Sequence, residues 1–160
     1  MRILIVSDTH GRHGGFDKAL QMAGDFDFLI HLGDVEGGED YIEAMAGCPC
    51  YIVGGNNDFF SQLPREMEIS LGGKKFFCAH GHNYYVSLGP EKIVEEGRSR
   101  QADIVMFGHT HRPYIAESEG ITVVNPGSLS YPRQEGRMPS FAMMEIDENG
   151  RVNVEIKFLK

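Results

Sequence analysis

Five short stretches concentrate the residues capable of chemistry: Asp8-Thr9-His10, Gly33-Asp34, Gly55-Asn56-Asn57-Asp58, His80-Gly81-His82 and Gly108-His109-Thr110-His111. Each alone reads as a turn, because Gly, Asn and Asp tolerate positive φ and bond local backbone groups. Their common placement points elsewhere. Each follows an apolar run, namely RILIVS, DFLIHL, YIV, KFFCA and DIVMF. In α/β sheets ligands gather at the carboxyl ends of strands. Seven side chains are expected to converge there: Asp8, His10, Asp34, Asn56, His80, His109 and His111. In an extended segment residues i and i+2 point the same way, so Asp8 with His10, and His109 with His111, are each expected to aim two groups at one spot.

Two carboxylates, one carboxamide and four imidazoles, with no thiolate, are too many donors for one tetrahedral structural zinc. They suit two divalent transition ions completed by water. Mixed oxygen and nitrogen donors fit manganese, iron, zinc, nickel or cobalt. Of the other histidines, His31 lies within an apolar run and is expected in the core, and His13 is expected at the surface.

The elements that must position these groups alternate in the first half. Strands are expected at 2–7, 27–32 and 50–53, with helices at 14–24 and 38–46 between them. Phe16, Ala19, Leu20 and Ala23 mark one face of the first helix, and Gly47 with Pro49 ends the second. This β-α-β-α-β order implies parallel strands with helical crossovers. In the second half, residues 66–71 and 74–79 flank Gly72-Gly73 as a hairpin. A helix over 90–101 starts at Pro90 and a buried strand covers 103–107. Short strands near 113–118, 121–124, 140–147 and 151–158 follow, the last two forming a hairpin about Glu148-Asn149-Gly150. The expected sum is two sheets face to face with helices outside.

With 160 residues, 41% hydrophobic and 24% charged, the chain reads as one globular domain over 1–160. No apolar stretch reaches the roughly 18 residues that span a bilayer. The start, MRILIVSDTHG, reads as a strand and not a signal peptide, so a cytoplasmic location and no membrane partner are expected. The net charge of −8 disfavours a protein that tracks long nucleic acid. It allows a small phosphorylated substrate, because a bound cation supplies positive charge. Three cysteines, Cys48, Cys50 and Cys78, make no disulfide framework and read as small hydrophobes.

DTH, GD, GNND, HGH and GHTH, in this order, resemble the signature of calcineurin-like metallophosphoesterases. The short chain and Asn125-Pro126-Gly127-Ser128 resemble the small YfcE-like phosphodiesterases, whose fold the eukaryotic retromer subunit shares. The resemblance runs from residue 1 to about 147. It implies an α/β fold, a four-layer α-β-β-α sandwich of two mixed sheets. It implies two divalent ions, manganese first, with nickel, iron, zinc, cobalt or magnesium as alternatives. Asp8, His10 and His111 would hold one ion; Asn56, His80 and His109 the other; Asp34 would bridge them. Gly54 and Gly55 would let the backbone turn tightly enough to place Asn56.

Asn57 departs from the family, where larger members carry His in GNHD or GNHE. Asn donates a hydrogen bond but delivers no proton near neutral pH. Asp58 then becomes structural, and His82 is the available substitute in catalysis beside Asp34, Asn56 and Asn57. The stretch GDVEGGE lacks the Arg of GDxxDRG, which sets aside a protein serine/threonine phosphatase. Arg12, Arg133, Asn125 and Ser128 are the candidates for substrate contact.

The function implied is hydrolysis of phosphodiesters by a bridging hydroxide at a dinuclear centre, on a small substrate that is nucleotide-like, with activated leaving groups favoured. Homo-oligomerisation is compatible with the sequence. The alternatives are a protein-binding scaffold on the same fold, as in the retromer subunit, or a nuclease or nucleotide phosphatase. Retention of all seven candidate ligands favours an enzyme.

Overall fold

The computed structural model describes residues 1–159. Ten strands and three α-helices follow in chain order: β1 Arg2–Val6, α1 Gly14–Ala23, β2 Phe28–His31, α2 Glu39–Ala46, β3 Cys50–Ile52, β4 Glu66–Leu71, β5 Lys74–Ala79, α3 Glu91–Ser99, β6 Ile104–Met106, β7 Pro113–Ser118, β8 Ile121–Pro126, β9 Ser140–Ile146 and β10 Val152–Phe158. Two short 3-10 turns, His82–Tyr84 and Val86–Leu88, precede α3 and were not anticipated by the sequence reading. Every expected element is present, with ends moved by a few residues at most.

The strands form two five-stranded sheets, ordered β10-β9-β1-β2-β3 and β4-β5-β6-β8-β7. Both are mixed. In the first, β1, β2 and β3 run parallel while β9 and β10 are antiparallel additions. In the second, β5, β6 and β8 run parallel and the two edge strands are antiparallel.

Alternation along the strands separates the faces, since successive side chains point to opposite sides. Ile3 and Ile5 of β1 meet Phe76 and Cys78 of β5 in the layer between the sheets. Leu4 and Val6 turn the other way, onto Phe16, Ala19 and Ala23 of α1 and Ile42 of α2. Phe77 and Val105 pack outward against Ile93 and Val94 of α3. Three apolar layers between four layers of secondary structure give the expected α-β-β-α sandwich. Cys78 is fully buried in the central layer, and burial pushes its thiol up to about 12, so it behaves as a small hydrophobe.

Register is what positions the site. Val6 pairs with His31 and His31 with Ile52, so β1, β2 and β3 end flush. Cys78 pairs with Met106 and Met106 with Val124, so β5 and β6 end within one residue of each other while β8 runs on to Pro126 in the other sheet. All five chemistry-bearing stretches leave these strands at their carboxyl ends. His80 Nδ1 reaches across to the carbonyl of Leu32 at 2.7 Å, which brings the two rims together.

Helix α1 fixes the rim from outside. A methyl group on Gly15 would fall directly on the carbonyl oxygen of Leu129, whereas one on Gly14 would meet nothing within 4 Å. Helix propensity alone would make Gly→Ala stabilising by about 0.5–1 kcal/mol. Overpacking of about 1–3 kcal/mol outweighs that at Gly15. Urea unfolding is therefore expected to show Gly15→Ala as less stable than the parent and Gly14→Ala as no less stable.

Candidate metal centre

Asp8, His10, Asp34 and His111 offer ligand atoms that all lie within 4.8 Å of one another. His111 Nε2 is 3.3 Å from Asp8 Oδ1 and 3.2 Å from His10 Nε2. Asn56, His80 and His109 adjoin this group: His109 Nδ1 is 3.1 Å from Asn56 Oδ1 and 3.3 Å from His80 Nε2. Asp34 Oδ2 stands between the two sets, 3.3 Å from His80 Nε2 and 3.9 Å from His10 Nε2. All seven residues anticipated to converge are thus brought together.

They converge by a route that extended backbone does not provide. Asp8, His10, Asp34, His109 and His111 all have left-handed backbone, with φ of 53°, 52°, 56°, 69° and 59°. The i, i+2 geometry of a strand therefore does not apply to them. Asp, Asn and His tolerate this region better than other non-glycine residues. Backbone held in sparse regions costs of order 1–3 kcal/mol per residue and persists only where the surroundings enforce it. Gly54 and Gly55 permit the tight turn expected of them without positive φ at either. Gly55 is needed for closeness: a methyl group there would fall on Asp34 Oδ1.

Hydrogen bonds fix the tautomers. His80 Nδ1 faces the Leu32 carbonyl, His111 Nδ1 the Tyr131 carbonyl at 2.7 Å, and His10 Nδ1 the Glu36 carboxylate at 3.0 Å. These oxygens accept only, so each Nδ1 carries a hydrogen and each ring turns its Nε2 inward, the atom a metal would take. The centre therefore gathers candidate oxygen and nitrogen ligand atoms. Asp8 Oδ1 is buried with no hydrogen-bond partner, although histidine Nε2 atoms lie 3.3 to 3.9 Å away. A buried unpaired carboxylate oxygen is costly, and a divalent cation satisfies it together with the lone pairs around it. The donor set fits a metal of mixed oxygen and nitrogen preference. Burial opposes ionisation of Asp34, but the hydrogen bond to His80 and the backbone and side-chain donors of Asn57 outweigh it and hold the carboxyl well below the usual range.

The supporting residues explain the motifs. Asp58 is buried, and its carboxylate accepts N–H bonds from Gly55 at 2.7 Å, Asp34 at 2.8 Å, Glu36 at 2.7 Å and Val35 at 3.3 Å. This is the structural use expected for it. Asn57 donates from its backbone and side-chain nitrogens to the two oxygens of Asp34, at 2.9 and 3.0 Å. The His82 ring centroid lies 5.5 Å from that of His80 and 6.1 Å from that of His109. Asn125 and Ser128, expected at the substrate, are fully buried instead. Asn125 donates to the Gly108 carbonyl and Thr110 Oγ1, and Ser128 to the Asp8 carbonyl, so both brace loops. Arg12 and Arg133 are exposed beside the centre. His13, expected at the surface, is half-buried and stacked on Tyr41 with centroids 3.9 Å apart.

Sequence reasoning missed Glu36, Tyr131 and Arg65. Arg65 donates to the carbonyls of Gly55 and Asp58, tying down the loop that carries Asn56. Glu36 had one signal available: it lies two residues after Asp34. A carboxylate that holds a ligating imidazole typically contributes 10- to 100-fold in metal affinity. Calorimetry with Mn2+ is expected to show Glu36→Gln weakened by about that factor.

His31, buried as expected, accepts the Gly33 N–H at Nδ1 and donates from Nε2 to Thr9 Oγ1 at 3.0 Å. Burial pushes it down to about 4, against the attraction of Asp8 and Asp58. The unfolded chain binds this proton near pH 6.5 and the folded chain only near 4. The stabilisation is complete above pH 6.5 and is lost as pH falls through that window, by about 3 kcal/mol. Unfolding measured from pH 7 to 4 is expected to lose less stability in His31→Asn than in the parent.

Comparison with known proteins gives the family. Residues 1–149 match the calcineurin-like phosphoesterase superfamily domain. The chain is 31% identical over 153 residues to the probable metallophosphoesterase YsnB of Bacillus subtilis, covering 93% of this chain and 86% of that one. A Vps29 of Entamoeba histolytica, solved with Zn2+, superimposes with a TM-score of 0.78 at 24% identity, covering all of both chains. An archaeal phosphodiesterase superimposes with a TM-score of 0.70 at 24% identity, covering 98% of this chain and 100% of that one. With that domain matched over residues 1–149 and the acidic and imidazole groups gathered at strand ends, the chain belongs to the calcineurin-like phosphoesterase superfamily.

Proposed function

We propose that the chain is a divalent-metal-dependent phosphodiesterase acting at a dinuclear centre on small substrates. The observation that carries this reading is Asp8 Oδ1, buried, unpartnered and faced by histidine nitrogens, beside an Asp34 carboxylate shared by two ligand sets. Asp8, His10 and His111 would hold one ion, Asn56, His80 and His109 the other, with Asp34 common to both. Cations there would supply Lewis acidity at phosphoryl oxygens and a water of lowered pKa, activated as hydroxide at neutral pH. Manganese is the first candidate.

The side chains set the rest. Asn57 commits its donors to Asp34, so it holds the shared carboxylate in place and delivers no proton to a leaving group. His82 is the imidazole left near the centre outside the seven. Burial and the neighbouring His80 push it down, so it is neutral near pH 7. Arg12 and Arg133 would meet a bound phosphate. Without a strong acid at position 57, esters with good leaving groups react best. The likeness to an archaeal phosphodiesterase of the same fold supports a diester substrate.

A partner-binding protein without turnover is the competing reading, favoured by the likeness to Vps29. Since that Vps29 was solved with zinc, metal binding alone does not separate the two. Turnover does. Metal-stripped protein assayed on bis(p-nitrophenyl) phosphate with manganese, nickel, zinc or magnesium is expected to regain activity. Asp34→Ala is expected to lower it on the order of 10²- to 10³-fold, and phenyl esters to react far more slowly than nitrophenyl esters. No turnover with any metal, in protein that still binds the ions, would sink the enzyme reading.

A further inference from the structure

Four arginines crowd one side of the centre. A cleft of about 600 Å³ is walled by His10 and His111 and by Arg112, Tyr131, Arg133 and Arg137. Arg12 joins them, its guanidinium 4.7 Å above the Tyr131 ring, and that ring lies 5.3 Å from the ring of His10. The cleft is built on the ligand loops themselves. The Tyr131 carbonyl faces His111 Nδ1 at 2.7 Å, and the Arg133 N–H donates to the His111 carbonyl at 3.0 Å.

The charges here are unspent. The chain has 15 Lys and Arg against 23 Asp and Glu, so a random surface would offer carboxylates to any arginine. Arg2, Arg98 and Arg100 each have one, Arg65 donates instead to the Gly55 and Asp58 carbonyls, and among the described residues Arg151 stands alone outside the cleft. Among the described residues Arg12, Arg112, Arg133 and Arg137 have none, and no carboxylate lines the cleft. Unpaired guanidiniums around one cleft, three on its wall and Arg12 over its Tyr131, repel one another, which an anion relieves. A guanidinium stacked on an aromatic face keeps its planar fork free for two parallel bonds to phosphate. One phosphate at the metal centre does not need four arginines, since cations already neutralise it.

Resting on the phosphodiesterase reading, we propose that this cleft takes a second phosphate carried by the same small substrate, so that the natural substrate is a phosphodiester bearing an additional phosphoryl group a few bonds from the scissile one. Arg112 and Arg137 bind that group with Arg12 and Arg133, and the reacting phosphate stays beside Asp34.

The test uses Mn2+-loaded full-length protein and calorimetry with four probes: thymidine 5′-monophosphate, thymidine 3′,5′-bisphosphate, inorganic phosphate and a long single-stranded DNA. The bisphosphate is expected to bind about 10- to 100-fold more tightly than the monophosphate. The preference is expected to fall to within about twofold in the Arg112→Gln/Arg137→Gln double variant, and to survive in Arg151→Gln, which lies outside the cleft. Equal affinity for the two thymidine probes overturns the proposal. So does a preference that survives the double variant, or inorganic phosphate binding as tightly as the bisphosphate, which would make the cleft a site for free anion. Tighter binding of long single-stranded DNA with a steep salt slope also overturns it. Bisphosphate preference without turnover of bis(p-nitrophenyl) phosphate sinks the enzyme reading and keeps the cleft. Turnover without bisphosphate preference does the reverse.

Discussion

The centre crowds two carboxylates against four imidazoles and leaves Asp8 Oδ1 without a hydrogen-bond partner, and most of the surrounding structure is shaped by that. Two carboxylates and several imidazole lone pairs do not assemble spontaneously, because their desolvation and mutual repulsion oppose it. The protein holds them with backbone. Carbonyls of Leu32 and Tyr131 orient two imidazoles from behind, and the Asp8 carbonyl is held by two serine hydroxyls, Ser128 and Ser130. The Asp58 carboxylate, sitting one loop behind, does the opposite job from Asp34: four backbone donors satisfy it fully. Two buried aspartates, one saturated and one shared, divide stability from chemistry.

This division clarifies the departure at residue 57. An amide that donates twice to Asp34 is a stiffener of the shared carboxylate. Reaction at such a site draws on electrostatic preorganisation more than on proton delivery, and preorganised donors lose nothing to reorientation as charge develops. The same loops continue outward into Tyr131 and its arginines, so the electropositive flank is rigidly tied to the ligands that would hold the metal.

The period of the apolar runs made the sandwich readable. RILIVS and KFFCA alternate between two buried faces, and Gly72-Gly73 and Glu148-Asn149-Gly150 announced their hairpins. The candidate ligands were readable because unusual residue types stand where strands stop. What the sequence concealed is conformational or non-local. No local pattern says that five of the seven would have left-handed backbone, since the constraint comes from both sheets. Asn125 and Ser128 are turn-type residues in a polar stretch, and only the packed loops show their polar atoms consumed by carbonyls. Arg65 belongs to the site through its bond to the Gly55 carbonyl, ten residues away.

Strand β1 carries a kinetic consequence. It is central in its sheet, yet one neighbour, β9, lies at the far end of the chain: Arg2 bonds Glu145 across 143 residues. Loop-closure entropy must be met before such contacts reward it, so chains of this topology fold slowly. On the ribosome, Asp8 emerges long before Ser128, which buttresses it from 120 residues away, and before His111. A nascent chain therefore exposes β1 with one edge unpaired and its aspartate without the partners that give it purpose. Assembly of the centre is then one of the last events of folding, since it waits for His111 and for Ser128.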